Sequence, residues 1–210
     1  MTRESSRNRF QVGFDVSRET MGRLDVYERL LRKWNPTINL VSKASLEDLW
    51  QRHFFDSLQI LGLVHANSGN WIDFGSGGGF PGMVVAIVAA EQKPGLRFTL
   101  VESDLRKSTF LRTVSRETNV SATVLSERIE NMEPLGADVV SARALAPLTK
   151  LLGYAQTHLG PQGQALFMKG ANYRLELEEA LETWSFQSEE YKSKTDEAAA
   201  ILRFGDIRRV

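Results

Sequence analysis

The residues best suited to chemistry form one run, Asp73-Phe74-Gly75-Ser76-Gly77-Gly78-Gly79-Phe80-Pro81-Gly82, preceded by Trp71-Ile72 and followed by the apolar stretch Met83 to Ala90. A buried strand ending in a glycine loop that feeds a helix is the layout in which nucleotide-type cofactors lie across a strand's C-terminal edge. Gly75, Gly77 and Gly79 withdraw Cβ atoms where a ligand must touch backbone, and they permit positive φ. The spacing is G-x-G-x-G rather than the G-x-G-x-x-G of a nicotinamide site, and no Lys follows it as a phosphate loop requires. Pro81 stiffens the loop at a tolerated helix-start position. A carboxylate at Asp73 repels a pyrophosphate and attracts a cationic amino-acid group.

This pattern resembles motif I of the S-adenosylmethionine (SAM) methyltransferases. The next element agrees: Leu96 to Val101 alternates as a strand and closes on Glu102, placed to accept both ribose hydroxyls, although a solvated strand-end residue also fits Glu102 taken alone.

The elements that must hold these residues alternate. Apolar positions from Asp15 to Trp34 make a helical stripe ended by Asn35-Pro36, and Leu46 to Leu63 makes a second. Strands then fall near Asn70–Phe74, Leu96–Val101, Ser121–Leu125, Ala137–Ser141 and Gln164–Met168. Helices run over Gly82–Ala90, Leu105–Thr118, Leu145–Leu159 and Tyr173–Thr183. Two last alternating stretches, Ser185–Tyr191 and Ala199–Phe204, have no helix between them and suggest a hairpin at one edge. The order implies an α/β, Rossmann-like fold: a mostly parallel seven-stranded sheet with an antiparallel edge strand. Residues 1–66 form a helical N-terminal extension and residues 67–210 the methyltransferase domain, as one compact unit. Met1 to Arg9 reads as a frayed tail and Lys192 to Glu197 as a charged turn.

Composition narrows the function. The chain has 210 residues, 26 basic against 26 acidic, and 42% apolar side chains, as expected of a soluble, cytoplasmic globular domain. It holds no run of 18 apolar residues and no secretory leader, so no membrane span is expected. Cysteine is absent and the three histidines, His53, His65 and His158, lack metal-ligand spacing, so no metal site is expected.

Several further segments, Arg52-His53-Phe54-Phe55-Asp56-Ser57-Leu58, Trp34-Asn35, Asn39-Leu40, the Gly75 to Gly82 loop and Ser141-Ala142-Arg143-Ala144, resemble the small-subunit ribosomal RNA methyltransferase G family, formerly glucose-inhibited division protein B. The resemblance spans nearly the whole chain from Trp34 through Lys169-Gly170. The resemblance implies a SAM-dependent enzyme, with S-adenosylhomocysteine as product, that methylates N7 of a guanine in 16S ribosomal RNA of the small subunit. It implies cofactor contacts at Gly75, Phe80, Ile129, Glu130 and Arg143, beside Asp73, Gly77 and Glu102 from the loop argument. Many relatives carry Asp where this chain has Glu102, which shifts the geometry of the ribose contact. The resemblance leans toward a monomer.

The residues can be tested against acceptor classes. Pyrimidine C5 methylation needs a cysteine nucleophile, which is absent. The Asp/Asn-Pro-Pro-aromatic loop of exocyclic-amine enzymes is replaced by Ser141-Ala142-Arg143-Ala144-Leu145-Ala146-Pro147. A 2′-O acceptor wants a lysine and carboxylate set; Lys169 is available but no acidic residue ends the fourth strand. Guanine N7 carries an in-plane lone pair and no proton, so holding it about 3 Å from the methyl group for in-line displacement suffices. Arg143 is placed first with the cofactor and second as a reader of guanine. His53 and Asp56, three apart, form either a structural pair or the border of the substrate entrance. Phe54 and Phe55 read as core, and Phe80 as loop anchor or cofactor wall. RNA contacts are sought among Arg106, Lys107, Arg32, Lys33 and Lys169, each of which also fits an ordinary solvated face. A SAM-binding regulatory module, or a methyltransferase with another RNA, protein or small-molecule acceptor, remains open.

Overall fold

Along the first strand, side chains alternate between two apolar layers: Trp71 joins one core cluster, while Ile72 and Phe74 join the other. The strand is buried on both faces because helices cover both. The computed structural model describes residues 2–210. The strands are β1 (Ser68–Phe74), β2 (Gly95–Val101), β3 (Ala122–Leu125), β4 (Ala137–Arg143), β5 (Leu159–Lys169), β6 (Trp184–Lys192) and β7 (Ala200–Arg209). They lie in the order β3-β2-β1-β4-β5-β7-β6. β1 to β5 pair in parallel. The expected closing hairpin is present. Its reversed strand, β7, inserts between β5 and β6 and is antiparallel to both, so β6 forms the edge.

β1 pairs with β2 on one side and β4 on the other. The connections therefore leave β1 in opposite directions, which opens a crevice at the carboxyl ends of β1 and β4, where ligands bind in open α/β sheets.

One face carries α1 (Arg3–Phe14), α2 (Arg18–Ile38), α5 (Gly82–Gln92) and α6 (Leu105–Thr118), with the segment between α2 and β1. The other carries α7 (Leu148–His158) and α8 (Tyr173–Leu181). Residues 2–66 thus share a core with α5 and α6: Phe10, Tyr27, Trp50 and Phe54 are fully buried in the same cluster as Met83, Val84 and Phe110. Truncating such an aromatic to Ala costs about 3–5 kcal/mol.

Four sequence expectations change here. The tail is helical from Arg3 onward, Met1 lying outside the described residues. Thr2 caps α1, and Arg3 and Arg7 bind Glu28 and Asp25 of α2 at 2.6 Å each. The second helix does not stop at Asn35-Pro36 but runs to Ile38. Asn35 holds that last turn, since its carbonyl accepts the Asn39 N–H and its buried side chain accepts the Val41 N–H at 2.9 Å. The stretch expected as one helix over Leu46 to Leu63 is split. It comprises α3 (Lys43–Glu47), a π-helical segment Trp50–Phe55, α4 (Asp56–Leu58) and a 3-10 turn Gln59–Leu63. π-helical winding of this kind recurs at functional sites. Finally, Leu159 belongs to β5 rather than α7, and β7 runs through Gly205-Asp206 to Arg209.

Candidate active site

The glycine loop is held in place by its own backbone and by side chains beneath it. The Ser76 N–H reaches the Val101 carbonyl at 3.0 Å, and the Ser76 hydroxyl donates to the Asp73 carbonyl at 3.1 Å. Gly75 and Gly79 sit at φ +60° and +96°, and a Cβ on Gly79 would lie 2.2 Å from the Tyr27 hydroxyl oxygen. That hydroxyl, fully buried, donates to the Gly78 carbonyl. Tyr27 comes from α2, 51 residues before Gly78, and no motif announces it.

Asp73 does not reach the crevice. It is fully buried beneath the loop, where Oδ1 accepts the Ser141 hydroxyl at 2.6 Å and Oδ2 has no partner. Burial pushes its carboxyl up to about 6, against the opposing pull of Ser141. The expectation that Asp73 meets a cofactor's amino group is therefore replaced by a supporting role under the loop. Glu102 stands at the rim of the crevice, as expected, but is already engaged: Oε2 accepts the Gly77 N–H at 2.9 Å and Oε1 the Asp104 N–H at 2.8 Å. Each oxygen keeps further lone-pair capacity, so Glu102 can fix the loop and still accept from a ligand.

The crevice is a cavity of about 510 Å³. It brings together Gly75, Gly77, Phe80, Glu102, Ile129, Glu130 and Arg143, seven of the eight expected cofactor residues. Leu40, Ser42 and Ser45, from the turn after α2, also line it and were not expected. Glu130 is tied to the Tyr154 hydroxyl and, at 3.0 Å, to Lys150, which together draw its carboxyl down to about 2. Lys107 lines the same cavity.

Arg143 is the other anchor. Its Nη1 donates to the Arg52 carbonyl at 3.1 Å and to Asp56 Oδ2 at 3.2 Å, and its Nη2 lies 2.6 Å from His53 Nδ1. Because guanidinium only donates, Nδ1 accepts and the imidazole proton is assigned to Nε2. Burial, then the Arg143 and Arg52 charges, push His53 down to about 3, so it is neutral at physiological pH. Its Nε2 is buried without a partner. The ring stacks on Phe80 at 4.6 Å, and the Arg143 guanidinium lies 5.0 Å from the centre of that same ring. Phe80 is thus both loop anchor and cavity wall. His53 and Asp56 do not pair with each other; both hold Arg143.

Asp56 Oδ1 in turn accepts the Thr195 hydroxyl at 2.6 Å and the Gln59 amide at 3.0 Å. The Lys194 N–H donates to Gln59 Oε1 at 2.6 Å. The β6–β7 turn, read from the sequence as a charged turn, is thereby fastened to the Arg143 anchor, a link across 139 residues that spacing cannot show. Arg143 and Ala144 also line a second cavity of about 840 Å³, walled by Asp56, Lys169 and the 193–200 turn.

Two basic residues expected at an RNA surface have internal partners. Arg32 is bound to Glu28 at 2.9 Å and to the Leu46 carbonyl at 3.1 Å, while Lys169 is bound to Glu176 at 2.6 Å and to the Ala146 carbonyl at 3.1 Å. The acidic partner of Lys169 comes from α8, not from the end of β4. Arg106 is exposed and pairs with Asp104 at 3.1 Å, and Lys33 is exposed.

A family model described as rRNA small subunit methyltransferase G matches residues 21–201. A protein named ribosomal RNA small subunit methyltransferase G from Ruegeria sp. is 50% identical over 205 residues, covering 98% of this chain and 100% of its own length. One of the same name from Ruegeria pomeroyi is 52% identical over 197 residues, covering 93% and 96%. Among solved structures, a ribosomal protein L11 methylase from Lactobacillus delbrueckii superposes with a TM-score of 0.56 at 16% identity, covering 73% of this chain and 76% of that one, a likeness of fold. The chain belongs to the rRNA small subunit methyltransferase G family.

Proposed function

We propose that this chain transfers a methyl group from SAM to N7 of a guanine in 16S ribosomal RNA. Family membership supports RNA methylation, and the cavity fits the cofactor. The backbone at Gly75 and Gly77 offers close approach, Phe80 and Ile129 give apolar walls, and Glu102 supplies a carboxylate at the end of β2. Bound there, SAM supplies an electrophilic methyl on a sulfonium. Gly75, Gly77, Phe80, Glu102, Ile129, Glu130 and Arg143 would hold it. Asp73 acts from below through Ser141 and the loop.

The observation that carries the N7 reading is the state of the side chains around Arg143, which lines both cavities. His53 Nδ1 is occupied by Arg143, and Asp56 accepts from Thr195, Gln59 and Arg143. Both side chains are turned to Arg143 and hold it in place. An acceptor with a lone pair and no proton needs no general base, and positioning alone supplies the rate.

The second cavity shares Arg143 and Ala144 with the first, which supports it as the route by which the base approaches. Arg143 keeps two of its five N–H groups, Nε–H and one on Nη2, for the O6 side of the purine. A hydroxyl acceptor would look to Lys169, but its ammonium is committed to Glu176 and the Ala146 carbonyl. The chain works as a cytoplasmic monomer in which residues 1–66 are part of the catalytic unit.

The test is transfer of radiolabelled methyl from SAM to unmodified 16S rRNA, given as intact small subunits and as naked RNA, with digestion and mass analysis. A 7-methylguanosine peak is expected. Label in 2′-O-methyl or N2-methyl nucleosides would overturn the N7 assignment. SAM binding without transfer to any rRNA would favour a regulatory module.

A further inference from the structure

Outside the two cavities, the surface between α2 and α6 holds a third cleft of about 420 Å³, lined by Lys33, Trp34, Thr37, Ile38, Arg106 and Thr109. Trp50, Trp71 and Trp184 are all buried in the cores, whereas Trp34 is only half-buried. Its indole packs against Phe110, with ring centres 5.7 Å apart, and is therefore held in place at a solvent-facing position. An aromatic ring that is both ordered and accessible suits stacking of an unpaired base, which every nucleotide can offer.

Charge and position favour the same ligand. Lys33 and Arg106 flank the ring and are exposed, and the pairing of Arg106 with Asp104 is a surface contact that contributes little. Both walls of the cleft continue into the cofactor cavity. α2 contributes Ile38 to the cleft, and the turn that follows it contributes Leu40 and Ser42 to the cavity. On α6, Arg106 and Thr109 face the cleft while Lys107 lines the cavity. A strand lying over Trp34 would place its backbone phosphates near Lys33 and Arg106, beside the cavity that Lys107 lines.

We propose that the Trp34 cleft is a second RNA-binding site, at which an unpaired nucleotide flanking the methylated one stacks on the indole between Lys33 and Arg106. The inference rests on the reading that the acceptor is RNA. It adds a contact outside the reacting centre, the kind that sequence-tolerant single-strand binders combine with cations.

The experiment titrates the whole protein with a short single-stranded RNA of mixed sequence while following tryptophan emission, and measures methyl transfer to rRNA in parallel. Wild-type emission should fall on RNA addition and be insensitive to RNA in Trp34→Phe, whose remaining indoles are buried. Trp34→Ala should raise the KM for rRNA about fivefold or more, with SAM affinity unchanged. Because Trp34 also packs on Phe110, Lys33→Glu serves as a variant that leaves the core intact. It should weaken RNA binding and reduce the salt slope by about one. Methylation by the wild type with Trp34→Ala and Lys33→Glu both within twofold in KM would overturn the proposal and leave the catalytic reading standing. RNA-dependent quenching from Trp34 in a chain that methylates no RNA would do the reverse.

Discussion

The two walls of the cofactor cavity are built by opposite means. The glycine-loop wall is one contiguous stretch, Gly75 to Gly82, whose shape is set by backbone conformation and by buried groups beneath it, Tyr27, Asp73 and Ser141. The Arg143 wall is a convergence of side chains from four places: β4, the π-helical segment, α4 and the β6–β7 turn. The first has almost no freedom left once the chain is folded. The second keeps its geometry only while several hydrogen bonds are made together, which suits an acceptor side that must discriminate among bases. Substitution should therefore act on cofactor binding at the first wall and on acceptor handling at the second.

The largest effect is expected at Gly79. Alanine there must adopt φ +96° and place Cβ 2.2 Å from the Tyr27 hydroxyl oxygen and 2.9 Å from Met83 Cβ. Left-handed backbone costs about 1–2 kcal/mol and overpacking about 1–3 kcal/mol more. Gly79→Ala should thus lower SAM affinity in calorimetry by about a hundredfold. At Gly77, with φ +55°, an added Cβ would lie 3.7 Å from its nearest neighbour, the Gly75 carbonyl oxygen, so Gly77→Ala should show only the backbone cost when its stability is measured. If the double variant Tyr27→Phe/Gly79→Ala regains part of the lost affinity, the Tyr27 contact is the cause; if it regains none, backbone strain alone explains the loss.

Arg143→Ala comes next. It removes three donated hydrogen bonds and leaves Asp56 without its cation, a loss of about 3–5 kcal/mol when such a pair is buried. Methyl transfer should fall by more than about tenfold. Arg143→Lys should recover little, because an ammonium cannot serve Asp56, His53 and the Arg52 carbonyl at once. Wild-type turnover in either variant would remove Arg143 from the reaction.

The contrast between the walls also explains what could be read in the sequence. The glycine loop, Glu102 and the order of strands and helices were legible because each depends on neighbours a few residues away, and α6 (Leu105–Thr118) falls where its apolar period put it. Phe80, Ile129, Glu130 and Arg143 were reached through the family resemblance and do line the cavity. The Asp73 assignment failed because alternation along β1 points that carboxylate into the layer under Gly82 rather than outward. A Cβ on Gly82 would lie 2.5 Å from Asp73 Cβ. The triad of His53, Asp56 and Arg143 was visible as residues but not as an arrangement, since spacing of three suggested a pair and the structure makes Arg143 the shared partner. Tyr27 and Thr195 were missed entirely. Their contacts span 51 and 139 residues, and nothing local marks a Tyr on an amphipathic helix or a Thr in a charged turn.

Thr195 provides a finer test of the second wall. Thr195→Val keeps the shape of the side chain and removes the hydroxyl that donates to Asp56 at 2.6 Å. Hydrogen bonds to charged groups contribute about 1.5–3 kcal/mol, less here because both residues are partly exposed. A decrease in kcat/KM for rRNA of about fivefold is expected, with SAM affinity at the wild-type value. A shift in SAM affinity instead would mean that the two walls are coupled, and the division drawn between them would fail.

The smallest effect on activity, and the sharpest distinction between the walls, concerns protons. His53→Asn preserves an acceptor near Nδ1 and should keep transfer within about threefold of wild type, whereas His53→Ala should not. The walls also carry opposite stability signatures. Asp73, lifted from 3.8 to about 6, binds its proton more tightly folded than unfolded, so its contribution is full at low pH and is lost as pH rises through about 6. His53, lowered from 6.5 to about 3, binds its proton less tightly folded, so its contribution is full above pH 6.5 and is lost as pH falls. Between about pH 4 and 6 the two slopes oppose each other, each about 1 kcal/mol per pH unit. Relative to wild type, Asp73→Asn should gain stability as pH rises across this window, and His53→Asn should gain it as pH falls. Urea denaturation at several pH values reads both differences. Slopes of the same sign would show that one of these side chains is not buried in the charge state assigned to its wall.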